Sequence, residues 1–492
     1  MVALKLKQPQ ELESPFEQKD SRLLPTPFTY GAVPVSRIWS NECRLDASAY
    51  KIDAMNALST VYHCIYGTTP MKLLFKDAFV GSRFKRIYTD NPSNTPFFLP
   101  SDIEDVYPKA TKYISDKTKA DIDFLRVEKN MLLMTCSGTI GKTSLVGTKL
   151  EHQVFSHDLL RITFKNIHDL GYIYAFFNTE IGLTILQSNN YGAVIDHIEP
   201  EHLYNIPIPN APIETRKKIH SLIFDSYSLR DLSNESIDKA EHILYSELHL
   251  PKLSKIEYSQ YLGNAGFNNF IINANKLERR IDASYHLPVI EEVLKILPKN
   301  AKEILRLGDK RISKDIVLPG RFKRVYVEKE YGLPFIGGKQ LTTLGIDDVK
   351  YLAKSMLTEK FKYSSMIKTN DILVSARGTI GTCSLTPLHW EGALISDNII
   401  KIIPADITTV GYVYCFLQSE IGKALMLREV SGSVVDVIEP QNLRKIPIPM
   451  LKSEEAQKAI NDHVLEANNL RYQAYQKERE AISIMNDLLL NR

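Results

Sequence analysis

The chain has 492 residues, of which 44% are hydrophobic and 24% charged, and its 61 basic and 58 acidic residues give a formal charge of +3. This length allows two or three domains with their own cores, and the composition excludes a disordered tail protein. A near-neutral net charge gives a protein little electrostatic attraction to a polyanion. A DNA-binding surface would therefore have to be a local basic patch or be shared with partners. Neither a signal peptide nor an apolar run of membrane-spanning length is evident, which predicts a soluble, cytoplasmic protein without membrane contact.

The five cysteines argue against both a disulfide framework and a structural metal. They are odd in number, far apart and contain no Cys-x-x-Cys pair. We therefore expect reduced, mostly buried thiols and no metal site.

Taken in chain order, each half of the sequence begins with short apolar runs, such as residues 131–134 and 371–375, that glycines and prolines separate. This pattern is typical of an α+β domain with a twisted sheet. After an Ile-Pro-Ile-Pro segment the pattern changes: residues 213–249 and 453–490 lack proline and glycine and place apolar residues three and four apart. Both stretches are predicted to be amphipathic helices of about 54 Å.

An internal repeat spans nearly the whole chain, and it constrains the architecture more than any short motif does. Six matches occur in the same order, and their offset drifts only from 236 (280 minus 44) to 240 residues (378 minus 138). The matches are residues 44–48 with 280–284, 83–88 with 321–326, 138–141 with 378–381, 171–174 with 411–414, 180–182 with 420–422, and 198–209 with 438–449. The segments between them diverge, which indicates a shared frame that carries different inserts.

The repeat predicts a pseudo-two-fold internal duplication in which each unit ends in one long helix. Two such helices can pair as an antiparallel coiled coil that holds the two units apart at its opposite ends. Alternatively, each helix packs on its own domain and on partner proteins. Apolar stripes on the outer helix faces would make the chain depend on those partners.

The ordered motifs resemble type I restriction-modification specificity subunits over nearly the full length. They are Arg-Leu-Asp-Ala-Ser and Arg-Ile-Asp-Ala-Ser at the unit starts, the Gly-Thr-Ile-Gly turns, and Gly-Ala-Val-Ile-Asp-His-Ile-Glu-Pro with its partner Gly-Ser-Val-Val-Asp-Val-Ile-Glu-Pro. The resemblance implies two similar target recognition domains separated by two long antiparallel helices. The corresponding boundaries are 1–212 and 251–450 for the recognition domains, and 213–250 and 451–492 for the spacer helices.

The same resemblance implies a function without catalysis in this chain. Each domain would read one half of a bipartite DNA target, and the helices would dock N6-adenine methyltransferase subunits. S-adenosylmethionine and ATP would belong to partner subunits, the latter to an ATP-dependent restriction subunit. Two alternatives stay open: a non-catalytic protein-protein scaffold in a phage-defence complex, which the near-neutral charge favours, and the specificity subunit of a type IIB-like enzyme.

Candidate DNA contacts come from two repeated motifs. Basic and aromatic residues alternate at 83–88 and 321–326, which suits phosphate contact, although a strand with a solvated basic face would look the same. The Gly-Thr-Ile-Gly segments are predicted to be turns between strands, with flanking polar side chains as further candidates. The candidate residues are Arg83, Lys85, Arg86, Ser137, Lys142, Arg321, Lys323, Arg324 and Arg377.

Three other features of the sequence lead to expectations of their own. A P-loop at residues 138–143 is disfavoured because Cys136 stands where that loop needs glycine, and the second copy lacks the lysine. Buried ion pairs Arg44–Asp46 and Arg280–Asp282 are expected to fix the unit starts. Catalysis is not expected, because His157 and His197 correspond to Asp397 and Val437 and no methyltransferase or nuclease motif occurs in both copies.

Overall fold

A computed structural model describes residues 33–40, 50–89, 94–188, 197–251, 253, 270–277, 280–346, 349–432 and 436–490. The chain forms two compact units, Met1–Ile52 and Asp53–Arg492. Helix α1 (Val35–Ser40) is described in the first unit. All that follows concerns the second unit. Cys43, Arg44 and Asp46 lie outside the described residues, and the four described cysteines are free and buried, as predicted.

The first half of the second unit combines short strands with a few helices and ends in one long helix. Its helices are α2 (Ile52–Tyr62), α3 (Ile167–Phe177), α4 (Glu180–Ser188), α5 (Pro200–Leu203) and α6 (Ile213–Glu247). Its strands are β1 (Thr68–Pro70), β2 (Phe75–Phe79), β3 (Tyr88–Thr89), β4 (Thr95–Phe98), β5 (Lys112–Ile114), β6 (Leu132–Thr135), β7 (Thr143–Leu145), β8 (Val154–Phe155), β9 (Leu159–Phe164) and β10 (Pro207–Pro209).

The second half follows the same order and adds one short helix, α8. Its helices are α7 (Pro288–Asn300), α8 (Glu359–Ser365), α9 (Ile407–Gln418), α10 (Glu420–Arg428), α11 (Pro440–Leu443) and α12 (Glu454–Leu490). Its strands are β11 (Glu303–Arg306), β12 (Ser313–Val317), β13 (Tyr326–Val327), β14 (Gly332–Ile336), β15 (Lys350–Ala353), β16 (Ile372–Ser375), β17 (Cys383–Leu385), β18 (Leu394–Ile395), β19 (Ile399–Pro404) and β20 (Pro447–Met450).

The sheets of the two halves have the same strand order. One four-stranded sheet runs β2-β9-β6-β7 in the first half and β12-β19-β16-β17 in the second, and another runs β3-β5-β4-β8 and β13-β15-β14-β18. Strand β1 pairs with β10, and β11 with β20. Pairing is antiparallel except between β4 and β8 and between β14 and β18. The predicted α+β class is therefore confirmed.

The repeated Gly-Tyr motif packs each domain on its long helix. A Cβ atom at Gly171 would lie 2.8 Å from Cα of His220 on α6, and one at Gly411 would lie 2.6 Å from the carbonyl oxygen of Asn461 on α12. The next residue, Tyr172, donates a hydrogen bond to the Pro209 carbonyl oxygen at 3.0 Å. The Gly-Tyr and Ile-Pro-Ile-Pro motifs therefore recur together because they contact each other.

The two long helices pair in antiparallel orientation, as predicted. Ser236 Oγ on α6 lies 3.1 Å from Glu466 Oε2 on α12. Ser233 comes earlier on α6, and its Oγ donates at 3.0 Å to the carbonyl oxygen of Ala467, which comes later on α12. At 1.5 Å per residue, the 35 residues of α6 and 37 of α12 extend about 52 and 55 Å. The alternative in which the helices do not pair is wrong.

Each end of the helix pair completes the core of one half. Apolar residues near the start of α6 and the end of α12 pack with the first half; these are Ile219, Leu222, Ile223, Ala481, Met485, Leu488 and Leu489. Residues from the opposite ends pack with the second half; these are Ile237, Ala240, Leu244, Leu248, Ile460, Val464 and Ala467. The halves therefore occupy opposite ends of a shared helical pair.

Besides occupying opposite ends of the helical pair, the two halves also touch near its middle. The backbone N–H of Val106 donates to the Thr342 carbonyl oxygen at 2.8 Å. Glu104 forms ion pairs with Lys142 of its own half, at 3.4 Å, and with Lys339 of the other half, at 3.3 Å. The divergent inserts provide this contact, which the repeat could not reveal.

Two smaller expectations were wrong. Arg280 pairs with Asp282 at 2.5 Å, but the aspartate side chain is 41% exposed, so this ion pair is not buried. The long helices carry no continuous outer apolar stripe over their described residues, where the exposed large apolar side chains are the separate Ile213, Leu232 and Leu490.

Candidate nucleic-acid interface

The first basic segment is an irregular loop between β2 and β3, not a strand. Phe84 anchors it: its ring contacts the rings of Phe97 on β4 and of His157, both edge-on at 6.2 Å between centroids. The side chains on either side of this anchor, Arg83 and Lys85, are exposed. Neither forms an ion pair with a residue that the structure describes, so both cations are available to an outside anion.

Arg86 is held by the protein itself. Its Nη2 donates to Ser156 Oγ at 2.8 Å and pairs with Asp158 Oδ2 at 3.3 Å, on the loop between β8 and β9. Its guanidinium carbon lies 5.6 Å from the centre of the Phe97 ring. Burial lowers the pKa of the neighbouring His157; the Asp158 carboxylate opposes this shift and Arg86 adds to it. At neutral pH this histidine is therefore a neutral neighbour of the loop.

The second half repeats this arrangement around equivalent residues. Phe322 packs edge-on against Phe335, with centroids 6.0 Å apart. Arg324 lies 5.3 Å from the centre of the Phe335 ring and pairs with Asp397 at 2.6 Å. Arg321 and Lys323 are exposed, like Arg83 and Lys85.

Sequence reasoning missed one further cation in each cluster. Lys112 Nζ lies 5.2 Å from the ring centre of Tyr88, and Lys350 Nζ lies 4.8 Å from that of Tyr326. The signal was present in the repeat, because the dipeptide Lys-Tyr at 112–113 returns at 350–351. It went unnoticed because the sequence around it diverges.

The Gly-Thr-Ile-Gly segments form the predicted turns between β6 and β7 and between β16 and β17. The first and last glycines have φ values of +74° and +91° in the first copy and +76° and +83° in the second. L-residues with side chains rarely adopt this region. The segments are therefore strand connections, which agrees with the rejection of a P-loop.

Arg377 joins its turn to the second basic segment. Its Nη1 donates to Asn398 Oδ1 at 3.0 Å, and the preceding residue, Asp397, holds Arg324. The loop at 396–398 thus brings Arg324 and Arg377 onto one continuous surface. Ser137 stands at the equivalent position of the first half, where it forms a β-bridge with His197.

Lys142 is not part of the basic surface. It pairs with Glu104 at the contact between the halves, and its side chain is 20% exposed. Its role in the structure is to neutralise that glutamate. The structure therefore brings the other eight candidate residues to the two basic loops and their neighbouring turns, and separates Lys142 from them.

One group among the described residues has the donor atoms to hold a metal ion: Glu128, Glu151 and His152. His152 Nδ1 lies 2.9 Å from Glu128 Oε2, so the histidine already has a partner within the group. The equivalent positions of the second half are Lys368, Glu391 and Gly392, which could not hold a metal in the same way. The group does not belong to the repeated arrangement.

The fold and these surfaces define a class of internally repetitive protein that presents the same basic loop twice. Residues 79–242 match the family model of the type I restriction modification DNA specificity domain. The match covers 164 of the 492 residues (242 minus 79 plus 1), so the chain is similar to this family over a third of its length. The matched segment covers the first basic loop, its glycine turn and most of α6.

The chain is also distantly similar to solved specificity subunits. The type I restriction-modification S subunit from M. genitalium shares 15% identity and a TM-score of 0.34, with 87% of this chain and 96% of that chain covered. The HsdS subunit from Thermoanaerobacter tengcongensis shares 14% identity and a TM-score of 0.25, with coverage of 84% and 94%. No curated protein matched the chain. Among the described residues, the structure contains no helix that is long and apolar enough to cross a membrane.

Proposed function

We propose that this chain recognises DNA as the specificity subunit of a type I-like restriction-modification complex. Residues 1–212 and 251–450 act as target recognition domains, each reading one half of a bipartite site. Residues 213–250 and 451–492 act as spacer helices that dock N6-adenine methyltransferase subunits. The methyltransferase brings S-adenosylmethionine, and an ATP-dependent restriction subunit joins in the full complex. The observation that carries this proposal is the basic loop repeated in both halves on the same aromatic anchor.

The repeated part of the loop suits contact with the DNA backbone. Arg83, Lys85, Arg321 and Lys323 are exposed, positively charged and free of ion pairs with described residues. Phosphate contacts position a protein on the duplex without reading its sequence. Positions that are the same in both halves therefore account for affinity and orientation, and not for a difference between half-sites.

Positions that differ between the halves support two different half-sites. The residue beside the glycine turn is Ser137 in one half and Arg377 in the other, and the loop residue beside the basic segment is His157 or Asp397. A hydroxyl and a guanidinium, or an imidazole and a carboxylate, present different hydrogen-bonding groups to base edges. An asymmetric target follows.

The helical pair sets the distance between the half-sites. Its length of about 52 to 55 Å is comparable to one or more turns of B-DNA, each of about 34 to 36 Å. The contact from Val106 to Thr342 ties the inserts of the two domains together. The unread gap of the target is therefore expected to have one fixed length.

The test is to co-express the chain with its methyltransferase in a host without DNA methylation and to map N6-methyladenine in the host DNA. The expected result is one asymmetric bipartite motif with an unspecified centre. A soluble complex that produces no methylated motif would overturn the proposal. It would favour a protein-protein scaffold, the function that the low formal charge of +3 supports.

A further inference from the structure

A cavity lies where the two halves meet beside the helical pair. Its volume is about 630 Å³, and its walls come from the first-half insert, the second glycine turn, α9, α10 and α12. Small-molecule sites have volumes of about 300–1,000 Å³. The cavity is therefore large enough for a ligand, and its lining decides which chemistry fits.

A smaller counterpart of about 140 Å³ lies on the first-half side of the contact between the halves. Here Arg230 on α6 forms an ion pair with Glu478 on α12, and both side chains are only 16% exposed. Tyr174 on α3 donates to the same carboxylate, with 2.9 Å from its hydroxyl to Glu478 Oε1. An arginine and a tyrosine thus bind one buried carboxylate between the helices.

The second half repeats the arginine and the tyrosine but not the carboxylate. Gly171 packs on His220 and Gly411 on Asn461, so positions on α6 and α12 correspond with an offset of 241 (461 minus 220). Arg471 and Tyr414 then correspond to Arg230 and Tyr174. The position equivalent to Glu478 is Ile237 (478 minus 241), which has no charge.

Arg471 is therefore a buried cation without an acidic partner. It is 9% exposed, its Nε donates to Ser233 Oγ at 3.2 Å, and it also hydrogen-bonds to Tyr414. It forms no ion pair within the part of the chain that the structure describes. A buried charge without a counter-charge is unfavourable, and a bound anion would remove that cost.

The other charged groups of the cavity wall leave a net attraction for anions. Lys423 makes no ion pair with a described residue, whereas Lys109 pairs with Glu241 and Lys339 with Glu104. Asp102 accepts a hydrogen bond from the backbone of Leu99. Asp105 is the remaining acid: burial raises its pKa to about 6, and the charge of Lys423 opposes this shift.

We propose that this cavity binds a small oxyanion, a phosphate or carboxylate group. The oxygens of this anion bind Arg471 and Tyr414 in the way that the Glu478 carboxylate binds Arg230 and Tyr174. Lys423 supplies a second positive charge, and the cavity holds the rest of the ligand. The site lies at the contact between the halves, so its occupation stabilises that contact. This inference does not depend on the proposed function.

The experiment measures binding of inorganic phosphate and, in a second series, of acetate to the full-length chain at constant ionic strength. The readouts are equilibrium dialysis and the change in Tm. The wild type is expected to bind about one ion per chain with a saturable rise in Tm. The anion with the lower Kd identifies the oxyanion. Arg471→Met should weaken binding by about tenfold or more.

Two variants make the result specific. Lys239→Met removes an exposed lysine from α6 and should bind like the wild type. Ile237→Glu restores the missing carboxylate and should abolish binding of the free anion. If Ile237→Glu does not fold, the comparison of Arg471→Met with Lys239→Met decides. Equal binding by these two variants, or a rise in Tm that does not saturate, would overturn the proposal.

Discussion

At the scale of single residues, glycines and tyrosines fix how each domain sits on its helix. Gly171 and Gly411 allow backbone contact where any Cβ would clash, and Tyr172 and Tyr412 bind the last proline carbonyl of the adjoining strand. These residues recur because each half must meet the same helix in the same way. Their conservation between the halves is structural.

Gly411→Ala should destabilise the protein by about 1 to 3 kcal/mol. The added Cβ would lie 2.6 Å from the Asn461 carbonyl oxygen, and this clash outweighs the gain of about 1 kcal/mol from replacing a helical glycine. Urea unfolding measures the change. Gly320→Ala is the control, because a Cβ there meets no atom within 4 Å. Equal stability of both variants would contradict the contact.

The double variant Arg83→Ala, Lys85→Ala should weaken DNA binding to the same extent on all sequences. Each lost phosphate contact lowers the slope of log K against log salt by about 0.9, so the slope should fall by about 2. The methylated motif should not change. Lys239→Ala, on α6, is the control. A new motif in the double variant would mean that these side chains contact bases.

The loops show how far the sequence predicts a site. The repeat identified the basic segments, because the charges recur in register with their aromatic anchors. It could not show that Arg86 and Arg324 are held by Asp158 and Asp397, since these partners lie more than 70 residues away. Local spacing contains no information on such contacts, and neither does it place Lys142 opposite Glu104.

At the scale of elements, the long helices could be predicted well. Their uninterrupted pattern of apolar residues without glycine or proline indicated both helices, and their equal lengths indicated the pairing. What the pattern did not reveal is the polar middle of the pair, where Arg230 binds Glu478 while the equivalent Arg471 has no acidic partner. The spacing of apolar residues does not show which polar residues of the two helices face each other.

Arg230→Met should cost about 3 to 5 kcal/mol, because it leaves the Glu478 carboxylate buried without its cation. The double variant Arg230→Met, Glu478→Leu should recover most of this loss. Arg471→Met is the matched comparison and should cost much less, since no carboxylate is left behind. Similar losses for both single variants, measured by urea unfolding, would refute the asymmetry between the halves.

At the scale of the whole molecule, the contact between the halves is the feature that the sequence did not predict. It depends on the inserts, residues 91–120 and 329–359, whose sequences bear little likeness to each other. The bond from Val106 to Thr342 joins two backbones, so side-chain identity gives little sign of it. The repeat therefore predicts the structure of each half but not the contact between the two halves.

Asp105→Asn should stabilise the protein at pH 7.5 by about 1 to 2 kcal/mol. The folded pKa of Asp105, about 6, lies above its ordinary value of 3.8. The folded state therefore holds the proton more tightly, and this destabilising contribution disappears as the pH falls from about 6 to 4. For a fully buried group, each unit by which the folded pKa exceeds the ordinary pKa corresponds to about 1.36 kcal/mol of destabilisation. Asp105 is partly exposed, so the effect is smaller.

The difference between Asp105→Asn and the wild type is the quantity to follow from pH 7.5 to 4. It should shrink with falling pH, while Asp371, whose pKa is also raised to about 6 by burial, cancels because both proteins contain it. A constant difference for Asp105→Asn would contradict its burial at the contact.

The shared cores have a consequence for synthesis on the ribosome. The core of the first half includes Ala481, Met485, Leu488 and Leu489 of α12, which are translated after the entire second half. Domains generally fold in the order in which they leave the ribosome. Here the core of the first half stays incomplete, with its apolar surface exposed, until α12 has been synthesised. A translational pause or a truncation within α12 would therefore expose the earlier half, and chaperones should bind it there.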